Sequence, residues 1–179
     1  MSGPRFVPLT CPTCGGNLLG RAPDVVACCP PCGSAWRVDG PAPVPLRVLA
    51  VAGDLHDFGG QPLALPFWAT SRAAVPAFES ARPLSLARAA TGCLARWSAR
   101  PGLGTPPPLG VRLAPATAAR LARLADLPWD DDGEPALLSV PARLAGARLH
   151  VAGLDLPCFA EDVSELGAIL SRLESARRS

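Results

Sequence analysis

Apolar and polar positions along this chain change over in short runs that proline keeps interrupting. Residues 44–52 (VPLRVLAVA) read as a strand. Residues 63–70 (LALPFWAT) and 73–78 (AAVPAF) read as two more, and Pro66 and Pro76 mark sheet edges or bulges, since proline has no N–H for a central ladder. The polar, glycine-flanked GDLHDFGG (53–60) between them is a turn. Pro83 suits a first helical turn. After it the period becomes helical: Leu86, Ala90, Cys93, Leu94 and Trp97 share a face, and Arg88, Arg96 and Arg100 lie off it. PGLGTPPPLG (101–110) is a loop. A second helix opens at Pro115, with Ala118, Leu121, Leu124 and Ala125 as its buried stripe and Arg120 and Arg123 on its wet side. The acidic WDDDGE (129–134) is a loop, 136–140 a strand, and 148–152 and 154–159 add one or two more. A last helix over 162–177 places Val163, Leu166, Leu170 and Leu173 on one side. Glu161, Asp162 and Glu165 sit at its start and Arg177-Arg178 at its end, both matching the helix dipole.

Strands, two helices, more strands and one helix imply an α+β architecture, a small sheet with about three helices packed on one face. The stretch GPAPVP (40–45) is a stiff, extended linker. It puts a boundary near Ala42, between a small unit at 1–42 and an α+β unit at 43–179.

The small unit holds the clearest chemistry. CPTCGG (11–16) offers Cys11 and Cys14; CCPPCG (28–33) offers Cys28, Cys29 and Cys32. A tetrahedral thiolate site takes four ligands. In a C-x-x-C-G step the glycine permits a tight turn that aims two sulfurs at one point, and nearby amides then donate to them. Choosing Cys29 keeps the C-P-x-C-G form in both knuckles, whereas choosing Cys28 gives C-x-x-x-C and displaces the glycine. The expected ligands are therefore Cys11, Cys14, Cys29 and Cys32. Cys28 is surplus, a small apolar filler or, alternatively, a redox thiol. Leu18, Leu19, Val25 and Val26 around 20–24 are enough for a short hairpin between the knuckles. Zinc is the expected metal and iron the alternative, because four thiolates do not choose between them. A zinc site closed by four thiolates has no open position for water, so it is structural.

Composition narrows the partners. The chain is 49% apolar and 18% charged, enough for a folded core. All 17 basic residues are arginine; there is no lysine or tyrosine, and one each of Ile169, Asn17 and Gln61. A GC-rich bacterial genome is the simplest cause of this bias, so arginine count by itself is no sign of nucleic-acid binding. Net charge is +2, and the small unit sets Arg5, Arg21 and Arg37 against Asp24 and Asp39, little for a phosphate backbone. The opening MSGPRFVPLT lacks the apolar segment of an export signal, and no run nears the roughly 20 apolar residues of a bilayer span. Seven cysteines in such a chain point to a reducing cytoplasm and to metal ligation rather than disulfides.

Other candidates read as ordinary structure. Asp54, His56 and Asp57 read as a surface turn rather than a metal or acid–base site, and His150 lies in an apolar strand without an evident partner. Cys93 and Cys158 fall in apolar runs. Trp36 is expected over the second knuckle and Trp97 on the helix stripe. Phe67-Trp68 and Trp129 are core or, less favoured, a patch for a protein partner or a membrane surface. Neither Gly15-Gly16 nor 101–110 has the lysine and strand–helix context of a phosphate loop, and no nucleophile motif supports a hydrolase.

The paired CPxCG knuckles resemble the zinc-ribbon family over about the first 40 residues, and the same form holds iron in rubredoxin-like sites. LPFW (65–68) and VPAF (75–78) after such a ribbon resemble an uncharacterised group of bacterial zinc-ribbon proteins over most of the chain. That resemblance implies a fold and no reaction. The expected function is a non-enzymatic, metal-stabilised interaction or assembly subunit of a larger complex. The alternatives are a nucleic-acid-binding ribbon and an iron electron carrier.

Overall fold

The computed structural model describes residues 10–20, 22–53, 55–108, 110–163 and 166. The described residues start at the first knuckle and then build a three-stranded antiparallel sheet from β1 (Val26–Cys29), β2 (Ser34–Arg37) and β3 (Val44–Leu46). The second knuckle forms the turn between β1 and β2, which pair from Val26↔Arg37 to Cys29↔Ser34. The hairpin expected between the knuckles is reduced to one bridge: Leu19 and Cys28 exchange N–H···O bonds of 2.6 and 2.8 Å. The Val25 amide, which would have extended it, donates instead to the Val111 carbonyl at 2.8 Å.

The strand expected over 44–52 is two strands in two sheets. β3 completes the small sheet, and β4 (Val48–Val51) enters a larger one after exposed Arg47. The run is apolar on both sides of Arg47, so the pattern alone does not reveal the break. The larger sheet continues with β5 (Gln61–Ala69) and β6 (Ala74–Pro76), then α1 (Pro83–Cys93), β7 (Ala99–Pro101), α2 (Pro115–Leu124), β8 (Ala136–Ala145), β9 (Arg148–Val151) and β10 (Cys158–Phe159). Its seven strands exceed the small sheet that was expected, and only two residues of 154–159 are extended.

β8 is the axis of this sheet. Along one edge it carries β5 for nine residues, from Gln61↔Leu144 to Ala69↔Ala136. Its other edge is shared end to end: β4 pairs in parallel at Val48↔Leu137 to Ala50↔Ser139, and β9 pairs antiparallel at Ala142↔Val151 to Ala145↔Arg148. Gly53 lies where these two partners meet, and a Cβ there would come within 2.5 Å of the Ala152 Cβ. β7, β10 and β6 extend β4, β9 and β5 respectively. Pro66 lies within β5 at no cost to the ladder. Its carbonyl accepts from Ala77 N–H at 3.0 Å, so its polar backbone edge, and its missing donor, face away from β8.

Alternation along β5 builds two cores. Leu63, Leu65, Phe67 and Ala69 join Leu138, Val140 and Ala142 of β8 in the first, with Phe78 and with Leu86 and Ala90 of α1. Phe67 meets Phe78 edge to face at 5.6 Å. Trp68 points the other way, into a second core with Val48, Val75, Leu137, Ala87 of α1, and Ala118 and Ala122 of α2. Its indole N–H donates to the Leu113 carbonyl at 2.6 Å. The small sheet supplies Val26, Cys28 and Ala35 to that second core. Phe67 and Trp68 are thus fully buried, and the exposed patch considered for them does not exist.

The stripe expected on α2 needs correction. Ala118, Ala122 and Ala125 are buried, whereas Leu121 is half-buried and Leu124 is 67% exposed. The helix packs through alanines, which permit close approach to α1 and β6, and rotates its leucines outward. About three helices were expected; among the described residues there are two α-helices. Of the expected helix over 162–177, Asp162 ends a single 3-10 turn, Val163 and helical Leu166 are buried in the first core, and the rest, with Leu170 and Leu173, lies outside the described residues. Among the described residues no helix is long and apolar enough to cross a membrane.

Candidate metal centre

The two knuckles have the same local form. Gly15 N–H donates to the Cys11 carbonyl and Gly33 N–H to the Cys29 carbonyl, each at 2.8 Å. Gly15 and Gly33 have φ of 73° and 71°, the left-handed conformation that glycine adopts without a Cβ penalty. Each turn therefore directs its two sulfurs to the same side. Cys11, Cys14, Cys29 and Cys32 are brought together with their four sulfurs all within 4.8 Å of one another. The Cys11–Cys32 and Cys14–Cys29 sulfur pairs lie at 3.6 and 3.5 Å.

These separations fit a metal ion. With metal–sulfur bonds of about 2.3 Å, the edges of a thiolate tetrahedron are about 3.8 Å. Gly16 is closed against the cluster: a Cβ there would stand 3.3 Å from Cys14 Sγ and 3.7 Å from Cys29 Sγ. All four positions of a tetrahedral ion would be taken by protein sulfur. Cys11 and Cys29 are buried, and Cys14 and Cys32 are exposed.

Ser34, the first residue of β2, was not singled out by the sequence. Its Oγ lies 3.0 Å from Cys32 Sγ and 3.3 Å from Cys11 Sγ, and accepts the Trp36 indole N–H at 3.1 Å. The serine that follows the second knuckle glycine was the available signal, since the first knuckle has Gly16 at the equivalent place. The thiols respond unequally. Burial pushes Cys11 up, but the Ser34 hydroxyl and the Cys14 and Thr13 amides outweigh it and hold it down at about 5. The Ser34 hydroxyl and then the Ser34 amide lower Cys32. Burial pushes Cys29 up to about 12, against the Cys32 amide. The Ser34 side of the cluster thus favours the charged form of its sulfurs, while burial opposes it at Cys29.

Cys28 points away from the cluster. Its thiol is buried in the second core, donates to the Pro108 carbonyl at 3.6 Å, and is pushed up to about 12 by burial. A suppressed thiolate is a poor nucleophile. The same seam carries a buried ion pair, Arg112 Nε to Asp24 at 3.2 Å, and an exposed one, Arg37 to Glu134 at 2.9 Å.

Other candidate residues lie apart. Trp36 packs against Cys11 and Cys29 as expected. Cys93 is buried and donates to the Gly153 carbonyl at 2.8 Å; Cys158 is buried and donates to Leu156 at 3.5 Å. Trp97 packs on the first core and donates to Ala152 at 2.9 Å, and Trp129 packs on the second. His150 stacks on Phe58 at 4.2 Å. Asp57 is exposed in a single helical turn, and Asp54 and the His56 side chain lie outside the described residues.

No family model, no curated protein and no solved structure matches the chain.

Proposed function

We propose that this is a non-enzymatic protein in which zinc, held by Cys11, Cys14, Cys29 and Cys32, is a structural staple, and that the α+β body serves as an interaction or assembly subunit of a larger complex. The observation that carries the reading is the closed four-sulfur cluster on a module whose back is buried in the second core. Such a cluster leaves no coordination position for substrate or water. Its coupling to the body through Cys28, Val26 and Ala35 supports a role in holding shape. A nucleic-acid role draws little from the same surface, because Arg37 is already paired with Asp39 and Glu134.

The test is native purification at physiological salt, with mass by light scattering and metal analysis of the same fraction. The reading expects one zinc per chain and a mass above that of the chain alone, from a second protein present in fixed proportion. A colourless single chain in isolation would count against the assembly role. Visible absorption with iron in the fraction would replace zinc by iron, and a steep loss of retention on RNA or DNA with salt would favour nucleic acid.

A further inference from the structure

The two knuckles are near copies in sequence, Cys-Pro-x-Cys-Gly, but the next residue is Gly16 after the first and Ser34 after the second. The difference falls on the sulfurs. Two of the four, Cys14 and Cys32, are exposed and open to reagents. Cys32 carries the Ser34 hydroxyl at 3.0 Å, and the same hydroxyl reaches buried Cys11 at 3.3 Å. Among the described residues no hydroxyl is bonded to Cys14, whose sulfur instead lies 3.5 Å from Cys29 Sγ.

Trp36 sets the direction of the serine proton. An indole N–H only donates. At 3.1 Å it occupies a lone pair of Ser34 Oγ, so the single hydroxyl proton turns to the sulfurs, of which Cys32 at 3.0 Å is nearer than Cys11 at 3.3 Å. A hydrogen bond to a thiolate draws charge from the sulfur lone pair that would attack an electrophile, and neighbours of this kind tune metal sites.

We propose that Ser34, oriented by Trp36, is a positioning residue of the metal centre whose hydroxyl shields exposed Cys32, the nearer sulfur, leaving Cys14 as the exposed thiolate at which a soft electrophile attacks. This rests on the four-thiolate metal reading. Attack is an ordinary addition: the Cys14 lone pair forms a carbon–sulfur bond to an activated alkene, and the neighbouring carbon takes a proton from water. The metal then keeps three protein ligands.

The experiment treats the zinc-loaded full chain with substoichiometric N-ethylmaleimide and maps each cysteine by peptide mass spectrometry, with metal content measured alongside. In the wild type, Cys14 reacts first and Cys32 roughly tenfold more slowly, the scale of one hydrogen bond to a charged group. Ser34→Ala brings the Cys32 rate up to that of Cys14 with zinc retained. Ser34→Thr, which keeps the hydroxyl, restores the difference, and Trp36→Phe narrows it. Trp36→Phe decides the matter if Ser34→Ala fails to fold. Equal rates at Cys14 and Cys32 in the wild type, or an unchanged ratio in Ser34→Ala or in Trp36→Phe, would overturn the assignment of Ser34 while leaving the metal site standing. A folded chain that binds no metal at all overturns both.

Discussion

The thiol of Cys28 donates to the carbonyl of Pro108 at 3.6 Å, joining the second knuckle to a loop 80 positions further along the chain. Its neighbour Cys29 faces the opposite side and closes the sulfur cluster. Strand alternation makes these adjacent cysteines different in kind, one built into a hydrophobic seam and the other into a polar cage.

Cys28→Ala should therefore retain one metal per chain while lowering stability by about 1 kcal/mol, the scale of a small core truncation. Cys29→Ala should lose the metal. Elemental analysis and urea midpoints on the two variants separate these effects. Metal loss in Cys28→Ala would reverse the register of the second knuckle.

Chelation should release more than the ribbon. Val25 bonds to Val111, Cys28 to Pro108, and Val26, Cys28 and Ala35 are packed in the second core. Hydrogen exchange after chelation is expected to show lost protection in β1 and β2, and also at Arg112 and Leu113. β5 and β8 should stay protected through their long mutual ladder. Loss confined to residues 10–40 would show that the seam adds little.

The buried pair Asp24–Arg112 gives a sharper readout of the same seam. Arg112→Ala leaves a carboxylate in a nearly dry site and should cost roughly 3–5 kcal/mol. Replacing both partners with apolar residues, Asp24→Leu with Arg112→Met, should recover much of that loss. Denaturant midpoints of single and double variants provide the check, and a double variant no better than Arg112→Ala would refute it.

Acid sensitivity should trace in part to Asp162. Arg82 grips both its carboxylate oxygens, at 2.8 and 2.6 Å, and Phe159 N–H adds a bond at 2.8 Å. The Arg82 hydrogen bond, opposed by burial, holds the Asp162 carboxyl below its ordinary value. Its stabilising contribution is complete above the unfolded value of about 3.9 and is lost as pH falls through the lower folded value. The gap in urea midpoint between wild type and Asp162→Asn should be wide at neutral pH and shrink progressively below about pH 4. A gap that stays constant into strong acid would remove the ion pair from the account.

On α2, Leu124→Ser should change stability by no more than about 0.5 kcal/mol, whereas Ala122→Leu should cost about 1–3 kcal/mol by overpacking. Thermal melts of the two variants decide which face of the helix is buried. A large loss from Leu124→Ser would restore the leucine stripe.

The cysteine register is legible in the sequence because repetition of C-P-x-C-G is a geometric demand, and the structure gathers those four sulfurs. α1 and α2 are legible from Pro83 and Pro115 and from helical spacing, although α1 stops at Cys93 and leaves Trp97 and Arg100 extended, and β5 is legible from its apolar run. The burial of Leu124 is misread because amphipathic patterning assigns the large side chain to the core, and here alanines take it. The division of 44–52 between sheets is invisible because both halves are apolar alike. Ser34 escapes notice because serine is unremarkable in composition, and its meaning comes from the indole two residues on and a sulfur from the other knuckle.

The burial of the small sheet's back against distant segments bears on how the chain is made. Both knuckles are complete once Gly33 has been synthesised, but their apolar cover includes Trp68, Val111, Ala122 and finally Leu137. At ribosomal rates of roughly 5–20 residues per second, that last part follows several seconds later. During this interval the nascent ribbon has its cysteines in place and an oily side without its cover. The protein is most exposed to a wrong partner, or to a chaperone, at a stage when its most conspicuous motif is already finished.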